Sequence, residues 1–485
     1  MRPALLSGSA VAIAVCAFQL WISPSNPPGF FRDEAALAYN AYTIEHFGRD
    51  EYGARFPLYF SSFLDYKSPI FVYVLAGVFR VTGPSREVAR GVGAASVLAA
   101  ILLLGWLAYR LTRRRSVGIA VVALGGSCPW LFEVGRVAFE VTMEPLLLVL
   151  VLLAVQRATR LDTWRPLGAA PVALMLGAIT YVYAGGRFLA PLLAASLLVV
   201  VNRRRWRWVA AAVAGFALTQ IPLLVYTRAH PGALSRRFDA TTFIHSGISP
   251  FEIAWRTAFN YIQDLQLWDY VVSGDSKPYA HTPGTSALLA ASVALSVAGV
   301  VLVIRGRRPD AFWRYALAAL AVSPIPAALT IDRFHAVRLA PFAVMLVVFA
   351  IPSIDALVQS ATGRAIGAAV VVAAAVQFLL FVHDYSTDGP LRTSRFEAGI
   401  PGLLEQVWAK GGTVYIDYDD REPLTLARWY ALDRGISEQR VVRLPDGGIP
   451  RIGATAFGRT QPCDYKCTRM AKSGDYWLAR VDGPR

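Results

Sequence analysis

Apolar runs of about 15 to 23 residues recur from Ala4 to Val382, the length a helix needs to cross a bilayer. Lipid supplies no hydrogen-bond partners, so each run must satisfy its own backbone groups, and a helix does so. The 485-residue chain is 55% hydrophobic and only 17% charged. A water-soluble chain carries roughly a quarter charged residues. The expectation is a polytopic α-helical membrane protein.

The net charge of +15 raises the question of nucleic acid. The arginines answer it. They fall in short clusters between apolar runs: Arg113 to Arg115, Arg157 to Arg165, Arg203 to Arg207, and Arg305 to Arg308. That is the positive-inside pattern of cytoplasmic loops, not a nucleic-acid footprint.

The first run, Ala4 to Ile22, is long for a signal peptide and lacks a small-residue cleavage site after it, so it reads as a retained span. The run Ile70 to Val81 is short and carries Arg80. If it crossed, every later arginine cluster would change side. Read as an interfacial helix, it leaves all clusters on one side. The spans are then Ala4–Ile22, Val88–Leu111, Val117–Phe132, Val141–Gln156, Leu167–Tyr183, Phe188–Val201, Val209–Tyr226, Ser286–Ile304, Tyr315–Thr330, Leu339–Ile354 and Ile366–Val382. That makes about eleven. Residues 24–87 form a long first outer loop and Thr227 to Gly284 another. Residues 1–382 read as the transmembrane domain.

Residues 383–485 have a soluble composition. GTVYIDYD, RVVRLP and DYWLARV read as strands, and REPLTLARWYALDRG as a helix stopped by Gly435. A small extracytoplasmic α/β domain is expected. There Cys463 and Cys467 suit a short disulfide better than zinc, since no histidine stands near. Cys16 and Cys128 lie in apolar runs as inert core residues.

The outer segments hold the chemistry-bearing residues. The first loop has Asp33 and Glu34, Asp50 and Glu51, then Asp65, Tyr66 and Lys67 among many aromatics. Later outer segments add Glu133, Arg136, Glu140 and Glu144, then Asp332, Arg333, His335 and Arg338. Ionisable residues beside a bilayer point to binding or chemistry. A carboxylate can act as general base, and Lys and Arg can hold a phosphate. Plainer readings stand beside these. Asp33 and Glu34 suit a helix N-terminus. Lys67 and Arg338 suit interface anchors, and the tyrosines an aromatic belt. Glu144-Pro145 suits a helix start. His245 and His281 suit ordinary loop residues.

The order of these motifs resembles the GT-C superfamily of membrane glycosyltransferases, in particular the branch with protein O-mannosyltransferases and the lipid A aminoarabinose transferase. The resemblance rests on Asp33-Glu34 in FFRDEAALAYNA, Lys67-Ser68-Pro69 in DYKSPIFVYVLAGVFRVTG, and the Arg90-led span VARGVGAASVLAAILLLGWLAYRLTRRR. It continues in Arg136 and Glu140 of GRVAFEVTMEPLLL and in Arg338-Leu339-Ala340-Pro341. TYVYAGGRFLAPLL is similar to segments of bacterial members. Ser68 stands where the family has proline, and Glu140 where aspartate is usual. A second Asp-Glu pair, Asp50-Glu51, also departs from the pattern.

The resemblance implies an inverting transferase. It would move a sugar from a polyprenyl-phosphate carrier to a hydroxyl of a protein, lipid or cell-wall glycan on the outer face. Asp33 would be the base, with Lys67 and Arg338 on the lipid phosphate. Glu34, Tyr66, Arg136, Glu140 and His335 would bind or orient substrate. No cofactor is required, though a divalent cation is compatible with the chemistry. A transporter or flippase of a lipid-linked or anionic substrate is the alternative. It is disfavoured because the spans are nearly free of charge at their centres and no internal repeat is seen.

Overall fold

The computed structural model describes residues 2–21, 23, 25–63, 65–160, 165–306, 310–417, 419, 421–446, 448–459 and 465–484 and, of residues 2–8, the backbone alone. Ile22, Arg307, Arg308 and Cys463 lie outside the described residues. The chain divides into two compact units. One comprises residues 1–21, 68–70 and 91–386, the other residues 22–67, 71–90 and 387–485.

The first unit is a helical body. Among the described residues, five helices are long and apolar enough to cross a membrane: Arg86–Thr112, Glu140–Arg160, Trp206–Ala229, Ala340–Gln359 and Ala361–Leu391. Shorter apolar helices include Ser9–Leu20, Arg115–Gly126, Pro166–Val182, Gly186–Val200 and Ala290–Arg305. Ala340–Gln359 is buried along most of its length. It meets Ala290–Arg305 closely enough that a Cβ on Gly299 would lie 1.6 Å from the carbonyl oxygen of Phe349. Ser296 donates to Leu346 O and Ser353 to Leu295 O, each at 2.7 Å. Small residues with interhelical hydrogen bonds are how helices pack when lipid removes the hydrophobic drive. Ala361–Asp388 does the reverse. It exposes Ile366, Val371, Val372, Val376, Leu379 and Leu380, an apolar surface suited to lipid tails.

Several runs that read as single spans contain a break at proline. Val117–Phe132 is two helices, Arg115–Gly126 and Pro129–Val134, the second beginning on its proline. Tyr315–Thr330 is likewise Ala311–Val322 followed by Ile325–Ala328, after Pro324. Proline suits a first helical turn because its missing N–H would be unpaired there anyway. The long loop Thr227–Gly284 carries its own helices, Arg236–Thr241 and Pro250–Asp264.

In the second unit the first loop and the C-terminal segment share one core. The loop contributes helices Arg32–Phe47 and Pro69–Thr82 and the hairpin Phe60–Ser62 with Asp65–Lys67. Pro69–Thr82 buries Phe71, Leu75 and Phe79 at helical spacing and exposes Val74 and Val81. The C-terminal segment forms a five-stranded sheet in the order Val441–Arg443, Val414–Ile416, Thr455–Arg459, Tyr476–Gly483, Lys466–Ser473. The first three strands are parallel and the last two pairings antiparallel. Helix Arg421–Asp433 links the two parallel strands Val414–Ile416 and Val441–Arg443. It ends near Gly435, whose φ of 63° suits a helix stop. Trp429 of this helix is buried against Phe30, at 5.1 Å between ring centroids, and Phe79, at 6.4 Å. Cys467 is disulfide-bonded.

Candidate active site

Phe31 is extended, and helix Arg32–Phe47 begins after it with Asp33 and Glu34 in the first turn. Adjacent helical residues point about 100° apart. The two acids therefore serve different surroundings. Glu34 turns inward and is fully buried. It accepts from the N–H of Phe31 at 2.9 Å, which caps the helix start. Arg90, also fully buried, grips it with two nitrogens at 2.9 and 2.8 Å. The same guanidinium donates to the carbonyls of Pro27 at 2.7 Å and Gly29 at 3.1 Å. Glu34 thus locks the loop's entry rather than facing a ligand.

Asp33 remains partly open, its side chain 28% exposed. Lys67 Nζ donates to Asp33 Oδ1 at 3.0 Å and lies 3.6 Å from Asp65 Oδ2. The hairpin explains this geometry. Alternate strand residues share a face, so Asp65 and Lys67 point together and Tyr66 points away. Its register pairs Phe60 with Lys67, Ser61 with Tyr66 and Ser62 with Asp65. The result is an ammonium held between two carboxylates in a partly open setting.

The second acidic pair has other work. Asp50 accepts from the N–H groups of Tyr52 and Ala54 at 3.0 and 2.8 Å, closing its own turn. Glu51 receives Asn40 at 2.9 Å and Thr425 at 2.7 Å, joining helices Arg32–Phe47 and Arg421–Asp433. Burial pushes its pKa up to about 7. Arg32 reaches the same region, donating its N–H to Glu397 at 2.7 Å and its guanidinium to Glu422 at 2.8 Å.

In the helical body, Glu140 opens the turn before helix Glu144–Arg160 and accepts the N–H of Ser68, the residue that follows Lys67 in the chain. A proline at position 68 would have no N–H to give. The two departures from the family pattern, Ser68 and Glu140, are therefore one hydrogen bond. Arg136 is buried. It donates to the carbonyls of Gln19 and Trp21 and to Phe132 O at 3.3 Å, with its guanidinium 4.3 Å from the Phe132 ring. It satisfies carbonyls left unpaired where helix Arg2–Leu20 ends. Sequence reading made it a substrate ligand; its donors are instead committed to backbone.

Arg338 donates to Thr330 at 2.8 Å and to Asp332 at 2.9 Å, and Lys277 meets the other oxygen of Asp332 at 3.0 Å. Burial works to raise the Asp332 pKa, but Lys277 and Arg338 outweigh it and hold the group below its ordinary value. His335 is buried, with Nε2 3.0 Å from the Tyr279 hydroxyl. Burial first, and the Arg338 charge second, push its pKa down to about 3, so it is neutral at pH 7. Its loop is pinned through backbone: Asp264 accepts Phe334 N–H at 2.9 Å, Asp275 accepts Ala336 N–H at 2.7 Å, and Trp130 donates to Ala336 O at 2.8 Å. Lys277, Tyr279 and Asp275 were not singled out from sequence, although Lys277-Pro278 sits, like Lys67-Ser68-Pro69, in a polar outer loop. Among the described residues no group of three or more His, Cys, Asp or Glu is placed to hold a metal ion.

No protein-family model and no curated protein matches the sequence. Solved structures do match. ArnT from Cupriavidus metallidurans, a lipid A aminoarabinose transferase, superposes in its apo state with a TM-score of 0.58 at 14% identity, over 99% of each chain. Its form bound to undecaprenyl phosphate gives 0.56 at 14% identity, over 100% of each. The chain has the GT-C fold. The Archaeoglobus fulgidus oligosaccharyltransferase, in complex with Zn and sulfate, gives 0.53 at 12% identity. That match covers 89% of this chain and 62% of the archaeal one. In the GT-C fold of this chain, Asp33 and Lys67 are placed by the first-loop helix and hairpin, the same elements whose motifs carried the resemblance.

Proposed function

We propose that the chain is an inverting glycosyltransferase, moving a sugar from a polyprenyl-phosphate carrier to an acceptor hydroxyl at the outer membrane face. The observation that carries this is the Lys67 ammonium held between Asp33 and Asp65 at 3.0 and 3.6 Å. Supporting it is the GT-C fold, shared with an enzyme solved with undecaprenyl phosphate bound.

In the proposed step the lipid phosphate competes for Lys67 and draws it from Asp33. Asp33 takes the proton of the acceptor hydroxyl as its oxygen attacks the anomeric carbon. The bond from that carbon to the phosphate oxygen breaks with inversion, and Lys67 meets the charge left on the phosphate. Arg338 and Lys277 are a second pair of cations suited to an anionic substrate group. Arg136 and Glu140 act by positioning segments, and Glu34 by fixing the entry of helix Arg32–Phe47. The step as proposed uses no cofactor, and a divalent cation is compatible with the two carboxylates beside Lys67.

The same reading places eleven spans in the membrane, with the first loop and residues 383–485 outside. Among the described residues these runs are helical over most of their length, and the arginine clusters support this sidedness.

Asp33→Asn keeps size and hydrogen bonding to Lys67 but cannot accept a proton. Its expected effect is a loss of about 10²- to 10⁴-fold in transfer from a lipid-linked sugar, at unchanged expression and melting temperature. Normal turnover by that variant would remove Asp33 as the base.

A further inference from the structure

Helix Glu144–Arg160 has the turn of Glu140 at one end and Arg157 and Arg160 at the other, about 25 Å away. Helix Arg86–Thr112 likewise ends in Arg110, followed by Arg113. Arg110, Arg113, Arg157 and Arg160 together line one open cleft of about 650 Å³, a size that accepts a small ligand.

The plain explanation is that basic residues favour helix C-termini and cytoplasmic loops. That accounts for arginines at each helix end. It does not account for four side chains, drawn from two helices, lining the same concavity. Among the described residues, none of the four side chains has a hydrogen bond or ion pair. Their charges act on one another: Arg110 feels Arg113, Arg157 and Arg160. The acid whose charge reaches Arg160 is Asp310, and its carboxylate caps the next helix through Trp313 N–H at 3.0 Å. By contrast Arg114, next to Arg113, pairs with Asp355 at 3.1 Å. Arg113 also has a φ of 61°, a left-handed conformation that glycine normally supplies at this position.

We propose that this cleft is a binding site for a phosphate-bearing anion at the C-terminal ends of helices Arg86–Thr112 and Glu144–Arg160. The planar guanidinium forks suit phosphate oxygens two at a time. An anionic lipid headgroup and free phosphate offer the same chemistry, and the experiment separates them.

Full-length chain in a nonionic detergent is titrated with short-chain phosphatidylglycerol, with zwitterionic phosphatidylcholine of equal chain length, and with inorganic phosphate. Native mass spectrometry counts the lipid, and melting temperature reports phosphate. The comparison proteins are Arg113→Gln/Arg157→Gln and a variant with all four arginines changed to lysine. The lysine variant keeps the positive-inside charge, so it guards against an insertion defect in the other. Phosphatidylglycerol bound about tenfold more weakly by both variants, with phosphatidylcholine indifferent, supports the site with a lipid source. A phosphate-dependent stabilisation lost in both variants supports it with a free source. Wild type and variants alike toward every ligand would overturn the proposal. So would full binding by the four-lysine variant, which would reduce the cleft to a diffuse basic surface.

Discussion

At the scale of single residues, the polar groups divide into those that present a reactive atom and those that hold backbone. Asp33 and Lys67 belong to the first kind, Glu34, Arg90, Arg136 and Glu140 to the second. Sequence alone ranked all of these but Arg90 together, because a residue type beside a membrane looks the same whether it meets a ligand or a carbonyl. What separates them is a partner far away in the chain, 117 residues for Arg136 and Gln19 and 72 for Glu140 and Ser68. The Ser68 bond gives a test. Ser68→Ala keeps the N–H and is expected to behave as wild type. Ser68→Pro restores the family residue but removes the N–H that Glu140 accepts. A hydrogen bond to a charged group contributes about 1.5–3 kcal/mol, and activity is expected to fall through Lys67, the chain neighbour of residue 68. Steady-state assay and melting temperature read the pair. Equal activity of the two variants would show that the N–H of Ser68 does nothing for the site.

At the scale of elements, the helices of the body were legible because lipid enforces long apolar runs. Their breaks at Pro129 and Pro324 fell inside runs whose hydropathy does not change. In the C-terminal segment, Val414–Ile416 and Tyr476–Gly483 were legible by their β-branched and aromatic residues. Lys466–Ser473 was not, since KCTRMAKS is an exposed edge strand with charge where burial would demand apolar residues. Nor could sequence say that helix Arg421–Asp433 packs on the first loop. That contact, through Trp429, Thr425 and Glu51, makes the C-terminal segment part of what holds helix Arg32–Phe47. Trp429→Ala removes a fully buried ring and is expected to cost about 3–5 kcal/mol in this unit. The checks are limited proteolysis of the first loop and transfer activity. A variant with a wild-type proteolysis pattern and rate would mean that the loop stands without the C-terminal helix.

At the scale of the whole molecule, charge follows two rules. Along the chain, the positive clusters between apolar runs were legible and set the proposed topology. Inside the folded units, acids are buried beside cations, and this was hidden until the fold assembled them. Glu397 is the case with a measurable consequence. It is buried between Arg32 and Tyr476, and burial, aided by Glu422 and only partly opposed by Arg32, raises its pKa to about 8. Its unfolded value is about 4.5. The folded state therefore holds a proton that the unfolded state releases. Stability from this group is fully present below about pH 4.5 and is lost as pH rises toward 8, at about 1.4 kcal/mol per pKa unit. Glu51, raised to about 7, acts in the same direction over a narrower window. His335 acts oppositely, because its depressed pKa makes stability fall as pH drops below about 6.5. A single wild-type melting curve mixes these, so the comparison is with Glu397→Gln, which stays neutral. The stability difference in favour of Gln should grow between pH 5 and 8 and flatten above. Melting temperatures of the two proteins at half-unit pH steps measure it. A constant difference across that range would show that Glu397 ionises in the folded protein as it does in the unfolded chain.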